Sequence, residues 1–357
     1  MKKNAGRLSK KVFAAMMAGT LMTAMVGMNV SAQAVYPTNV TLTKEITKEP
    51  NVYAPNTNFQ FTITPGEAVD ADADTGQNAV YAGPAGGAYF ATGEDTITFA
   101  PNSTDIGKTS VTNTTDISIN DEIFAAEGPG IYRYNVTEVS GNYDGIVYST
   151  ETKYFDVYVD SKGEVYSYSF VSTENDQAKD DGIFTNDYKK DNIKGGTHDI
   201  TLKKVLGGKQ TDYNQEYTFT IKIDGADGEQ YYLVYSDEDK DPQQLTLTSG
   251  ASQTITLGHD ETATIYGLSK NDIYTITEND YSDDGYTTTF KVGDGKDEFV
   301  NTKTGNITSD TNITVTNTKN ASTPTGIAMT YGPYALMVAL AGGMAVLFFR
   351  RRNREDY

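Results

Sequence analysis

Through its long middle section the chain alternates apolar and polar residues with a period of two. The first half shows this in NVTLTK, FQFTIT, TITFA, IYRYNVTE, YFDVYVD and VYSYSF. The second half shows it in DITLKK, YTFTIKI, YYLVY, LTLT, TITL, TATIY, YTITE, YTTTF and NITVTN. Val, Thr, Tyr and Phe fill these stretches, the residues that suit a pleated, half-buried surface. Clusters of Gly, Asn, Asp and Pro separate them. No long stripe of period 3.6 interrupts the pattern. It predicts an all-β fold built as immunoglobulin-like sandwiches.

The pattern also repeats. The order VTLTK, NTNFQFTIT, YRYNVTE, GIFTNDYKK returns as ITLKK, NQEYTFTIKI, YTITEND, ITVTNTKN. Two copies are too few for a solenoid. They read as two tandem sandwich domains, residues 35–192 and 197–320, joined at the polar, glycine-containing segment KKDNIKGGTHD.

Residues two apart in a strand share a face. Val40, Leu42 and Lys44 share one, as do Tyr132, Tyr134, Val136 and Glu138, and Phe184 and Asn186. In the second copy Ile200, Leu202 and Lys204 align, as do Tyr274, Ile276 and Glu278, and Ile313, Val315 and Asn317. Parity also turns the neighbouring Lys203 toward solvent. Each domain is thus expected to aim one Lys, one Glu and one Asn into its core. Burying an unpaired charge is expensive, and desolvation favours the neutral amine and the neutral acid. A neutral lysine amine is a nucleophile. A protonated glutamic acid can donate to the Asn carboxamide and polarise its carbonyl. Attack of the amine there would expel ammonia and leave a Lys–Asn amide, once per domain and without turnover. The alternative for each trio is a buried salt bridge, or a lysine snorkelling at the sandwich edge.

The two ends differ from the middle. Residues 1–34 place lysines ahead of an apolar run and finish on Ala32-Gln33-Ala34, the layout of a cleaved secretory signal peptide. Residues 327–349 are apolar and long enough to span a bilayer, which takes about 20 residues. Arg350, Arg351, Arg352 and Arg354 follow in the tail 350–357, an arrangement that keeps the tail in the cytoplasm and the sandwiches outside. Just ahead stands Thr323-Pro324-Thr325-Gly326. This motif, with the apolar span and the basic tail, resembles a Gram-positive cell-wall sorting signal. Thr323 occupies the place where a Leu, Ile or Val is commoner. The resemblance implies that a sortase cleaves after Thr325 and transfers its carbonyl to an amine.

Taken together, the repeated Lys, Glu and Asn positions and this tail resemble the major backbone pilins of Gram-positive pili, with their streptococcal-type isopeptide-linkage domains. The resemblance covers nearly the whole exported part. It implies cross-links Lys44–Asn186 and Lys204–Asn317, with Glu138 and Glu278 as the assisting acids. It also implies that one exposed lysine, Lys179 in NDQAKDDGIFTN, receives Thr325 of the next subunit. The expected partners are a sortase, further copies in a head-to-tail polymer, tip or base pilins, and peptidoglycan. The expected location is the cell wall, reached from a membrane-held precursor. A monomeric wall-anchored adhesin of the same fold is the alternative, and a secreted hydrolase a weaker one.

Composition narrows the choice. The net charge is −19, which offers no basic patch for nucleic acid. Cysteine is absent, so an exported protein must find its toughness without disulfides. A Lys–Asn link between the first and last strands would close a loop of most of the domain. By analogy with a disulfide, that is worth roughly 5 kcal/mol in the chain-entropy model. No metal or cofactor is expected. In DADADTG, from Asp70, the calcium-loop positions six and twelve are Thr75 and Tyr81 rather than Gly and Glu. The two histidines are scattered, and no catalytic Ser-His-Asp order or nucleophile elbow stands out. The insertion at 66–95 has no assigned role.

Overall fold

The computed structural model describes residues 39–74, 76–171, 179–190, 196–236, 241–320 and 337–338. The first sandwich contains β1 (Asn39–Lys48), β2 (Thr57–Pro65), β3 (Tyr81–Ala82), β4 (Ala88–Phe90), β5 (Thr96–Phe99), β6 (Ser110–Ile119), β7 (Gly130–Glu138), β8 (Thr152–Val159), β9 (Val165–Val171), β10 (Lys179–Asp180) and β11 (Ile183–Tyr188). One sheet runs β11-β1-β6-β4. The facing sheet runs β10-β9-β8-β7-β2-β5, with β3 beside β7. The second contains β12 (Thr197–Gly207), β13 (Tyr217–Asp224), β14 (Gln230–Ser236), β15 (Gln243–Thr248), β16 (Ser252–Leu257), β17 (Thr262–Ser269), β18 (Ile273–Glu278), β19 (Thr287–Val292), β20 (Thr302–Asn306) and β21 (Thr311–Thr318). Its sheets run β15-β14-β17-β12-β21-β19 and β16-β13-β18-β20.

In both sandwiches the first strand lies parallel beside the last: β1 beside β11, and β12 beside β21. Every other residue of these strands enters the core. Leu42, Ile46, Phe59, Phe61, Val136, Phe155 and Phe184 fill the first. Ile200, Leu202, Phe219, Ile276, Ile313 and Val315 fill the second. Each such side chain contributes about 1.5–3 kcal/mol by leaving water.

Two features depart from the expected run of strands. The polar stretch Ser110–Ile119 forms β6, the antiparallel neighbour of β1. Its buried face is Thr115, Ile117 and Ile119, so one of its three inward positions is threonine. A short helix, α1 (Asp121–Glu127), follows, with the Asn120 side chain accepting from the Glu122 N–H and Phe124 packed on Tyr132 and Tyr134. Within the insertion at 66–95, β3 pairs along the edge of β7 and β4 joins the other sheet beside β6. The N–H groups of Gly66 and Gly83 donate to the Arg133 carbonyl, and Arg133 forms a buried two-pronged ion pair with Asp156 at 2.7 and 2.8 Å.

The sandwiches meet through polar contacts. Tyr53 Oη lies 2.7 Å from Thr246 Oγ1, Asn56 donates to the Asp227 carbonyl, and Lys190 pairs with Asp199 and Asp310. At the centre two carboxyls of the second sandwich are buried together, Glu229 at 2 % and Asp272 at 4 % exposure. Tyr188 of the first sandwich and Tyr231 of the second both donate to Glu229, and the Ser269 N–H donates to Asp272. Asp144 and Tyr143 of the first sandwich line the same cavity of about 220 Å³. Gly225 is required here: a Cβ would sit 2.0 Å from the Tyr231 hydroxyl and 2.6 Å from both carboxyls.

Burial pushes both carboxyls above the ordinary range, and the charge of Glu229 adds to the push on Asp272, which reaches about 8. The folded state therefore binds protons more tightly than the unfolded one. This stability is fully present below the ordinary carboxylate range, near pH 4, and drains away as pH rises toward 8. Residues 35–320 should lose on the order of 5 °C of melting temperature between pH 5 and 9. Asp272→Asn, which keeps an oxygen for the Ser269 N–H, should flatten that loss. An unchanged slope in the variant would assign the effect to other groups.

Candidate functional site

Lys44 on β1 pairs with Phe184 on β11, and Ile46 pairs with Asn186. Asn186 thus lies one pleat beyond Lys44 on the same inward face. Across the core β7 ends at Glu138, opposite Phe61 of β2. All three polar residues are buried: Lys44 at 0 %, Glu138 at 8 % and Asn186 at 1 % exposure. The Glu138 carboxylate bridges the other two. Its Oε2 lies 2.7 Å from Lys44 Nζ, and its Oε1 accepts from Asn186 Nδ2 at 2.5 Å. The Phe59 ring lies under the amine, 4.9 Å away.

Asn186 Oδ1 accepts from the Ser149 backbone N–H at 2.7 Å. A main-chain N–H only donates, so this contact fixes which carboxamide atom is the oxygen. Sequence alone predicts a glutamic acid that donates to the Asn carbonyl. In the structure Glu138 instead receives the NH₂ group, and a backbone donor holds the carbonyl.

The second sandwich repeats the geometry at the same offset. Lys204 pairs with Val315 and Leu206 with Asn317, while Glu278 lies opposite Phe219. Lys204 Nζ is 2.8 Å from Glu278 Oε1, at an angle outside that of a hydrogen bond, and 4.3 Å from the Tyr217 ring centre. Phe59 and Tyr217 stand two residues before Phe61 and Phe219 in their strands, so each amine rests on the equivalent ring. Thr288 Oγ1 donates to Glu278 Oε2 at 3.1 Å. Neither polar atom of Asn317 has a hydrogen-bond partner among the described residues. Lys203 points outward and pairs with Asp260.

Burial outweighs the glutamate's pull and brings both inward amines down to about 8. A third buried lysine, Lys48, is lowered to a similar value, again chiefly by burial. Its Nζ donates to the carbonyls of Glu49, Asp105 and Lys108, which use all three protons in holding a loop. Among the described residues, only Lys44 and Lys204 combine a lowered affinity for protons with a carboxylate partner and an Asn one pleat away. In the first sandwich the carboxylate touches both nitrogens. It can take a proton from the attacking amine and return one to the departing NH₂. Fixed positions replace the entropy cost of bringing two groups together.

Lys179 is exposed on the edge strand β10, paired only to Val171 of β9 within that register. Thr323, Pro324, Thr325 and Gly326 lie outside the described residues. So do the leader 1–34, the tail 350–357 and, apart from residues 337–338, the apolar segment 327–349. Among the described residues no helix is long and apolar enough to cross a membrane.

The family described as the Spy0128-like isopeptide containing domain matches residues 40–189, the sandwich that holds Lys44, Glu138 and Asn186. The chain is similar to a pilin of a Gram-positive bacterium along most of its length. A curated relative named Pilin, from Streptococcus pyogenes serotype M1, is 27% identical over 328 residues, covering 85% of this chain and 87% of the relative. Residues 198–319 match a second family, a domain of unknown function (DUF7601). The crystal structure of the major pilin from Streptococcus pyogenes is similar in fold, with a TM-score of 0.56 at 23% identity. It covers 80% of this chain and 100% of that one. The T3.2 major pilin of the same species gives 0.54 at 21% identity, covering 79% and 99%.

Proposed function

We propose that this chain is the shaft subunit of a covalent pilus, stiffened by one Lys–Asn amide in each sandwich. One observation carries the reading. At the same register in both sandwiches, a buried lysine and a buried asparagine lie on adjacent parallel terminal strands, with a glutamate of the facing sheet against the lysine in both and against the asparagine as well in the first. The match to an isopeptide containing domain supports it for the first sandwich, and the pilin relative supports it for the subunit as a whole.

In this reading Lys44 joins Asn186 and Lys204 joins Asn317, each with loss of ammonia, helped by Glu138 and Glu278. The leader directs export, and residues 327–349 hold the precursor in the membrane. A sortase cleaves after Thr325 and passes its carbonyl to Lys179 of another copy. Repetition of that step gives an open head-to-tail polymer. A final transfer joins it to the peptidoglycan of the cell wall, with tip or base pilins as further partners. The exposure of Lys179 on an edge strand is compatible with its use as an acceptor.

Intact mass is the direct measurement. Residues 35–320 should weigh about 34 Da less than their sequence, two lost ammonias at about 17 Da each. Glu138→Ala and Glu278→Ala should each restore one ammonia's mass and lower the melting temperature by on the order of 10 °C. A wild-type mass equal to the sequence mass would leave the trios as ion pairs and end the proposal. Followed after cell-free synthesis, ammonia loss should speed up roughly tenfold per unit as pH rises toward 8 and then level, because the attacking amine must be neutral. A rate independent of pH between 6 and 9 would contradict that attacker. In the producing cell, wall extracts should give a high-mass ladder on denaturing gels, and Lys179→Ala should collapse it to one band. A ladder that survives this change requires a different acceptor.

A further inference from the structure

The chain between β7 and β8 reaches Asn186 twice. It leaves the core immediately after Glu138, whose carboxylate accepts from Asn186 Nδ2. It then doubles back along the last strand, where Val147 forms an isolated antiparallel bridge with Asp187 and its N–H donates to the Asp187 carbonyl at 2.9 Å. Two residues later the Ser149 N–H meets Asn186 Oδ1 at 2.7 Å. The segment is held on both sides of that peptide. The Tyr148 ring packs on Phe59 at 5.8 Å, and its hydroxyl accepts from the Tyr143 N–H. The Ser149 hydroxyl accepts from the Glu151 N–H at 3.2 Å, a turn that sets the plane of the adjoining peptide.

We infer that the Ser149 backbone N–H is the oxyanion donor for Lys44–Asn186 bond formation, and that Glu138 serves the nitrogens rather than the carbonyl. The inference rests on the isopeptide reading above and adds a division of labour to it. As the neutral Lys44 Nζ adds to Asn186 Cγ, the electron pair of the C=O bond moves onto Oδ1, against the Ser149 N–H. Glu138 takes on Oε2 the proton that Nζ sheds and, once its carboxyl has turned, passes that same proton to Nδ2. The electron pair returns, the Cγ–Nδ2 bond breaks and ammonia leaves. Amine plus carboxamide become one secondary amide plus ammonia, with no other reactant. A donor already at hydrogen-bond distance needs no reorganisation when the charge develops, which is why such groups are worth roughly 100- to 1,000-fold in acyl transfer. Asn317 Oδ1 has no corresponding partner among the described residues, because β19 itself runs beside β21 there and pairs Thr288 with Asn317. The second sandwich is therefore a control within the same molecule.

The test removes that one hydrogen. Ser149 is replaced by its α-hydroxy acid, which turns the amide into an ester, and in parallel by Ser149→Pro and Ser149→Ala. Each cross-link is followed by peptide mass spectrometry after cell-free synthesis. The ester and proline variants should form Lys44–Asn186 on the order of 100-fold more slowly, with Lys204–Asn317 at the wild-type rate, while Ser149→Ala stays within a few-fold of wild type. Wild-type rates at both sites in the ester variant overturn the inference. Absence of the Lys44–Asn186 link from the wild-type protein overturns the isopeptide reading instead. A second measurement needs no altered backbone. In Glu138→Ala, which keeps the Asn186 acceptor, the Ser149 amide should exchange with solvent on the order of tenfold more slowly than in Asn186→Ala. Equal exchange in the two variants also overturns it.

Discussion

The structure depends on the parallel contact between the first and last strands of each sandwich. Parallel neighbours carry the chain in the same direction, so a pull on the two ends of a sandwich shears β1 against β11 and β12 against β21. Backbone hydrogen bonds resist that shear only collectively. A covalent link changes the route of the load. In a polymer joined through Lys179, force would enter the first sandwich at β10 and leave through Asn186 and Tyr188 of β11, and the amide would tie β1 to that loaded strand. In the second sandwich force would enter at Thr197, cross from Lys204 to Asn317 and leave at Thr318, bypassing the strands between. The offset of one pleat between Lys and Asn is what makes the crossing short.

That arrangement places an amine, a carboxylate and a carboxamide in a core with almost no exposure. The arrangement is costly as a resting state. An unpaired buried polar group costs about 1–3 kcal/mol, more if charged. The first sandwich offsets much of this, since Glu138 meets both nitrogens and Ser149 meets the oxygen. The second does so less completely, with both Asn317 polar atoms unpartnered among the described residues. Making an amide would remove the amine's charge and one surplus donor group in a single step. A trio kept only as an ion pair would retain the cost, for no more stability than apolar residues of the same volume could supply. The aromatic rings beneath the amines, Phe59 and Tyr217, hold the nucleophiles in place and help to keep water from them.

Much of this was legible in the sequence, because strand parity is local. Alternation alone turned Lys44, Glu138, Asn186 and their second-copy counterparts inward and Lys203 outward, and the structure has the same faces buried. The repeat aligns the two sets from sequence alone. What escaped had a different physical origin. In β6 threonine takes part of the buried face, and threonine also serves on exposed faces, so the hydrophobic signal fell below notice. The Ser149 contact is made by a backbone N–H, which every residue except proline possesses, so no side-chain pattern marks it. The Glu229–Asp272 pair arises only when the two sandwiches meet. Taken along the chain, Glu229 and Asp272 are unremarkable acids in turns, and nothing nearby in sequence points to Tyr188, which donates to Glu229 from the other sandwich.

The cross-links, if both form, leave the joint as the compliant element. Between Asn186 and Lys204 load has only the main chain to follow, assisted by noncovalent contacts: the Lys190 ion pairs, Tyr53 with Thr246, and the buried carboxyls. Surface ion pairs are weak and screened by salt. The carboxyl pair is buried and is stabilised by a bound proton. Its like charges repel once that proton is lost. Stiffness inside each sandwich and softness between them would thus have separate chemical origins, an irreversible amide and a reversible proton. A polymer of such units would extend first by opening its joints, with its sandwiches still folded.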